Sequence, residues 1–120
     1  MINQFEVTVP APGGEQKRTA YVYMPKAYDE KKRFPVLYMF DGQTAFFDDT
    51  APYGDSWRMG EILDKFKTEI IVAAVEADMK DRLTEYSPFP FQSKYGSSEG
   101  KGEAYMDWLV CTFKPMIDAT

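Results

Sequence analysis

The sequence predicts an α/β domain with a mostly parallel sheet, an antiparallel edge hairpin and flanking helices. Three observations carry this. Two runs, Val36 to Phe40 and Ile70 to Val75, are apolar or aromatic at every position. Such runs suit strands covered on both faces, as in a parallel sheet between helices. Between them Met59, Ile62, Leu63 and Phe66 recur at helical spacing, so strand, helix and strand form a crossover unit expected to be right-handed. Ahead of both runs, two β-rich segments flank a Pro12-Gly13-Gly14 turn.

Taken in order, Phe5, Val7 and Val9 alternate with polar residues and stop at Pro10, a half-exposed strand. Thr19 to Met24 is a second strand, closed by Pro25 and expected to lie antiparallel to the first. Ala27 to Arg33 is a charged connection. The apolar strand from Val36 then ends abruptly in Asp41-Gly42, a turn signal at its carboxyl end. Open α/β sheets hold ligands at such strand ends, so the backbone after Gly42 is where a site is expected. Gln43 to Gly54 reads as a loop holding Phe46, Phe47, Asp48 and Asp49. Asp55 or Ser56 is expected to N-cap the following helix. Asp78 to Gly100 has no clear period and carries Pro88, Pro90, Gly96 and Gly100, which predicts a long irregular segment of the kind that walls binding sites. A final helix starts near Glu103, with Tyr105, Trp108, Leu109, Phe113, Met116 and Ile117 at core spacing. Pro115 is expected to kink it or to open a separate turn.

A chain of 120 residues fits one domain, and 44% hydrophobic with 16% aromatic residues describes a globular one. The net charge of −5 argues against nucleic acid as a partner, since its binders carry a basic face. The one basic run, Lys31-Lys32-Arg33, is offset by Asp29 and Glu30 and reads as a solvated turn. No apolar stretch approaches the ~20 residues that span a bilayer. Met1 to Glu6 has neither the basic region nor the apolar core of a secretory signal, so the expected compartment is the cytoplasm. Cys111 is the single cysteine and no histidine exists to activate it, so it is expected to be structural. No cofactor or metal is expected. Asp41 with Asp48-Asp49, and Glu76 with Asp78 and Asp81, lack the fixed spacing of a metal loop. Gly13-Gly14 has no helix N-terminus behind it to cradle a phosphate.

One pattern imitates a catalytic motif. Gly96-Ser97-Ser98-Glu99-Gly100 matches G-x-S-x-G, the nucleophile elbow of α/β-hydrolases. An elbow needs a buried strand immediately before it, and Phe89 to Tyr95 contains a proline and several polar residues. A serine also needs an adjacent base, and the chain has no histidine. A flexible Gly/Ser loop is the better reading of Ser98.

The order β-β-β-α-β-loop-α leaves two apolar strands with only two helices to cover them. The chain therefore reads as the first part of a larger domain. Arg18-Thr-Ala-Tyr-Val-Tyr-Met-Pro25 followed by Phe34-Pro-Val-Leu-Tyr-Met-Phe-Asp-Gly-Gln43 resembles an esterase family within the α/β-hydrolases. The family includes enterochelin esterases, S-formylglutathione hydrolases, feruloyl and acetyl-xylan esterases, and the antigen 85 mycolyltransferases. Ile70 to Glu76, Arg82-Leu-Thr-Glu-Tyr-Ser-Pro88 and the helix with Trp108, Leu109, Lys114, Pro115 and Ile117 continue the resemblance in order, across nearly all of the chain.

The resemblance implies an α/β-hydrolase-like fold and a serine carboxylic-ester hydrolase acting on a small-molecule ester through an acyl-enzyme. It implies that Gln43, the residue after Asp-Gly, gives its backbone N–H to the oxyanion hole. Asp41 is expected to hold the turn through side-chain hydrogen bonds to the backbone. Phe46, Phe47, Trp57 and Tyr86 are candidates to line the substrate pocket, and each equally suits packing. The family's nucleophile, acid and histidine would follow Thr120. Residues 1–120 are thus expected to be the N-terminal portion of one esterase-like domain, inactive alone. The contrasting expectation is a non-catalytic interaction module that self-associates as a homo-oligomer or pairs with a complementary C-terminal half.

Overall fold

The computed structural model of the protein describes residues 2–11, 14–51, 53–77, 86, 91–93, 96–98 and 102–119. The chain divides into two compact units, Met1–Val7 with Arg18–Glu76, and Thr8–Lys17 with Ala77–Thr120. Strands β1 (Ile2–Ala11), β2 (Gly14–Tyr23), β3 (Val36–Met39) and β4 (Ile71–Val75) form one mixed sheet in the order β1-β2-β4-β3. β4 runs antiparallel to β2, with Tyr21 opposite Ala74, and parallel to β3, with Tyr38 opposite Ala73. The N-terminal strand passes through Pro10, one residue beyond the expected stop. An outer strand tolerates a residue without an N–H.

The two apolar runs meet different fates. β4 lies between β2 and β3, and its last four residues are buried. β3 was expected to be covered on both faces, yet Leu37 is 43% exposed. Among the described residues β3 pairs only with β4 and forms the outer strand. Apolar sequence marks a strand that is built to be covered, and here one side of it stands open.

Gln43 to Gly54, expected as a loop, holds helix α1 (Gly42–Ala45) and a single 3-10 turn, Asp48–Thr50. Helix α2 (Met59–Lys65) crosses from β3 to β4. Its N-cap is Arg58 in the left-handed conformation, φ 49°, and neither Asp55 nor Ser56 caps it. The buried stripe is also narrower than expected. Leu63 is buried and Met59 packs against the core, whereas Ile62 and Phe66 are 46% and 70% exposed. At its far end Lys67 N–H donates to Asp64 O at 3.2 Å and Thr68 N–H to Leu63 O at 3.0 Å. This paired closure requires a left-handed residue at position 67, and lysine fills it with φ 51°. The core of this unit gathers Tyr21, Tyr23, Phe46, Leu63, Val72 and Ala74 from strands and helices.

In the other unit, part of the segment expected to be irregular is an antiparallel pair, β5 (Phe91–Ser93) and β6 (Gly96–Ser98). Arg82 to Ser87, apart from Tyr86, lies outside the described residues. The final helix is continuous but not uniform. Helix α3 (Gly102–Trp108) passes into a π-helical stretch, Leu109–Phe113, and then into α4 (Lys114–Asp118). Pro115 sits in the first turn of α4 and has no N–H to offer the carbonyl of Cys111, so the wider turn falls where an α-helical bond cannot form. The extra residue keeps Trp108 and Phe113 on one buried side with their rings stacked at 5.4 Å. Cys111 points to solvent rather than into a core. No helix among the described residues is long and apolar enough to cross a membrane.

Candidate functional site

β3 and β4 run parallel, and the chain leaves β3 at their shared carboxyl end through Asp41 and Gly42. Asp41 turns with φ 57° and ψ 52°, a conformation that an L-residue adopts only at a cost. Its side chain makes no cap hydrogen bond to α1. Thr44 N–H donates to Asp41 O at 2.9 Å and closes the turn through the backbone. Gly42 is required for a separate reason. A Cβ there would stand 2.9 Å from the carbonyl carbon of Val75 and 3.1 Å from Ala74 C and Glu76 N. The first turn of α1 is therefore seated directly on the end of β4, which a side chain would prevent.

Gln43 follows in that first turn, 6% exposed. The N–H groups of a helix's first turn point outward along its axis and carry its positive end. From the other side the segment after α1 folds back and pins it. Thr50 Oγ1 donates to Gln43 O at 2.8 Å, and Trp57 N–H donates to Thr44 O at 2.8 Å. Asp48 closes this loop. Its Oδ1 accepts from Ser56 N–H at 2.8 Å and Ser56 Oγ at 2.9 Å, and its Oδ2 accepts from Arg58 Nη2 at 3.0 Å. These donors, the Ser56 amide foremost, lower the Asp48 pKa to about 2. Sequence reading missed this clamp because Asp48, Ser56 and Arg58 share no period. Partners eight and ten residues apart in a loop carry no signal until the loop is folded.

The remaining candidates separate. Phe46 belongs to the core, its ring 6.2 Å from that of Tyr21. Phe47 packs beside the same ring at 6.1 Å. Trp57 stands 52% exposed. Tyr86 belongs to the second unit, edge-on to Tyr105 at 5.4 Å. Glu76, just past β4, is a structural tie: its Oε1 accepts from Thr19 N–H at 3.1 Å, and its carbonyl accepts from the Arg18 guanidinium at 3.3 Å. Among the described residues no group of acids, cysteine or histidine is placed to hold a metal ion. Asp78 and Asp81 lie outside those residues. The serine of the imitated motif, Ser98, lies in β6 opposite Phe91 rather than on a turn between strand and helix. That strand replaces the expected loop, and it is not the strained corner of a nucleophile elbow.

The family described as Putative esterase matches residues 12–120. The chain belongs to this family. Its fold is similar to that of an IroE-like serine hydrolase from Shewanella oneidensis, at 15% identity and a TM-score of 0.69, over 98% of this chain and 38% of that one. It is similar also to the BES protein from Bacillus cereus, at 17% identity and a TM-score of 0.65, over 98% of this chain and 45% of that one. A ferulic acid esterase from Anaeromyces mucronatus matches at 19% identity and a TM-score of 0.52, over 98% of this chain and 43% of that one. The chain thus spans less than half the length of these structures, and at such identities the likeness shows the α/β-hydrolase-like fold alone. No curated protein matches the chain.

Proposed function

We propose that the chain is the N-terminal portion of an esterase domain that hydrolyses a small-molecule carboxylic ester through an acyl-enzyme. In this reading the backbone N–H of Gln43 is one oxyanion donor. The observation that carries it is the seating of Gly42 against the end of β4, which fixes the following amide at the carboxyl edge of the sheet. An alkoxide forming there gains most from a donor that needs no reorganisation, and a helix turn held by Thr50, Trp57 and the Asp48 clamp is such a mount. Within this unit, Trp57 and Phe46 are the proposed pocket residues. The nucleophile, its acid and its histidine would come from a complementary portion whose strand adds to the open edge of β3. That same edge favours the alternative, an interaction module that pairs with another copy.

Two measurements separate these. Hydrolysis of a p-nitrophenyl ester by the 120-residue chain is expected to match a Ser98→Ala control. Turnover that this substitution abolishes would overturn the assignment of the chemistry to another portion. Light scattering coupled to size exclusion is expected to show association through the β3 edge. A compact monomer would remove the reason for expecting a strand to be added there.

A further inference from the structure

A cavity of about 280 Å³ opens at the other end of the sheet from Gly42, between the chain after β2 and the end of α2. Tyr23, on its wall, pairs with Val72 near the start of β4, whereas Gly42 rests on Val75 at the end of that strand. The three residue steps from Val72 to Val75 put the two places about 10 Å apart along the sheet. Leu63 and the Tyr23 ring line the cavity with apolar surface. Within it Tyr23 Oη donates to Asp64 Oδ1 at 2.6 Å. Burial, with Asp64 beside it, pushes the Tyr23 pKa to about 12, so the phenol keeps its proton and donates it in this bond. Asp64 Oδ2 has no hydrogen bond among the described residues.

The rim carries three more charges, Lys26, Lys67 and Glu69. Two acids and two bases share this mouth, yet among the described residues none of them forms an ion pair with another. Lys67 adds a second observation. It lines the mouth from the left-handed closing position of α2, where glycine is the usual residue. Retained strain of this kind accompanies ligand clamps. A mouth with balanced charge has no preference for a simple cation or anion. It suits a molecule that carries both.

We propose that this cavity binds a small zwitterion with an apolar tail, an α-amino acid of leucine size. Its ammonium would meet Asp64 and Glu69, its carboxylate Lys26 and Lys67, and its tail Leu63 and the Tyr23 ring. The volume suits such a ligand, lying near the lower limit of small-molecule sites. The proposal does not rest on the esterase reading, because the cavity shares no residue with the Gln43 turn.

The test is a nuclear magnetic resonance titration of the Lys26 and Thr68 amides with L-leucine, isoamylamine and isocaproate. The three share one branched tail and differ in which charged groups they carry. Saturable leucine binding at least roughly tenfold tighter than either analogue is expected, one charge-assisted contact being worth about that factor. Asp64→Asn should weaken it by roughly tenfold. Lys67→Gly, which relieves the backbone and so raises thermal stability, should still weaken it about two- to fivefold. Leucine that does not bind, an analogue that binds as well as leucine, or unchanged leucine binding in Lys67→Gly would overturn the proposal.

Discussion

Gly42 is the residue whose replacement is felt most directly at the candidate site. An added methyl would meet backbone atoms of β4 rather than the end of a flexible side chain, so either α1 or β4 must shift. Gly42→Ala is expected to lower stability by about 1–3 kcal/mol, as overpacking does, and chemical denaturation measures it. Unchanged stability would mean that α1 does not sit on the strand end. Lys67→Gly has the opposite sign, a gain of about 1 kcal/mol from relief of a left-handed L-residue. Asp48 sets a pH dependence. Its pKa is about 2 when folded, against an ordinary 3.8 when the chain is open. A lowered value means that the clamp contributes in full above pH 4 and is lost as pH falls through about 2. A thermal-melt series across that window should show a decline that Asp48→Asn removes, the variant starting from lower stability at neutral pH.

At the scale of elements, α2 shows where a sequence pattern reaches its limit. Met59, Ile62, Leu63 and Phe66 have helical spacing, but a helix of seven residues turns only part of that stripe inward. Leu63→Ala is expected to cost about 2–3 kcal/mol, and Ile62→Ala, at a half-exposed position, less than about 1 kcal/mol. Equal costs would contradict the observed rotation of the helix. Its N-terminus was illegible because Ser56, which donates to Asp48 and accepts from Arg58 N–H, stands two residues too early, and the helix starts at Met59 behind Arg58 with no side-chain cap. The β5–β6 pair was hidden for a different reason. Gly96-Ser97-Ser98 has none of the branched or aromatic residues by which strands are recognised. The π-helical stretch leaves no trace either, since Trp108, Leu109, Phe113 and Ile117 fit an ordinary helix until Pro115 is placed.

For the whole molecule, the two apolar runs, their crossover helix and the Asp-Gly turn between them were legible because each is a local pattern with one cheap solution. The strand order β1-β2-β4-β3 was not, since register and neighbour choice depend on contacts distant in sequence. In that order β3 is the outer strand, and Leu37 within it and Phe40 just after it are exposed. An uncovered apolar edge and a turn suited to an oxyanion belong to one reading, in which further chain completes both the sheet and the active site. The most direct test compares Gln43→Pro with Gln43→Ala in a polypeptide that carries the rest of the domain. Proline removes the N–H, and alanine keeps it. If that amide is an oxyanion donor, Gln43→Pro lowers kcat by about 10²–10³ with little change in KM, and Gln43→Ala leaves kcat near its original value. A proline variant that keeps full kcat, or an alanine variant that loses as much, would contradict the account.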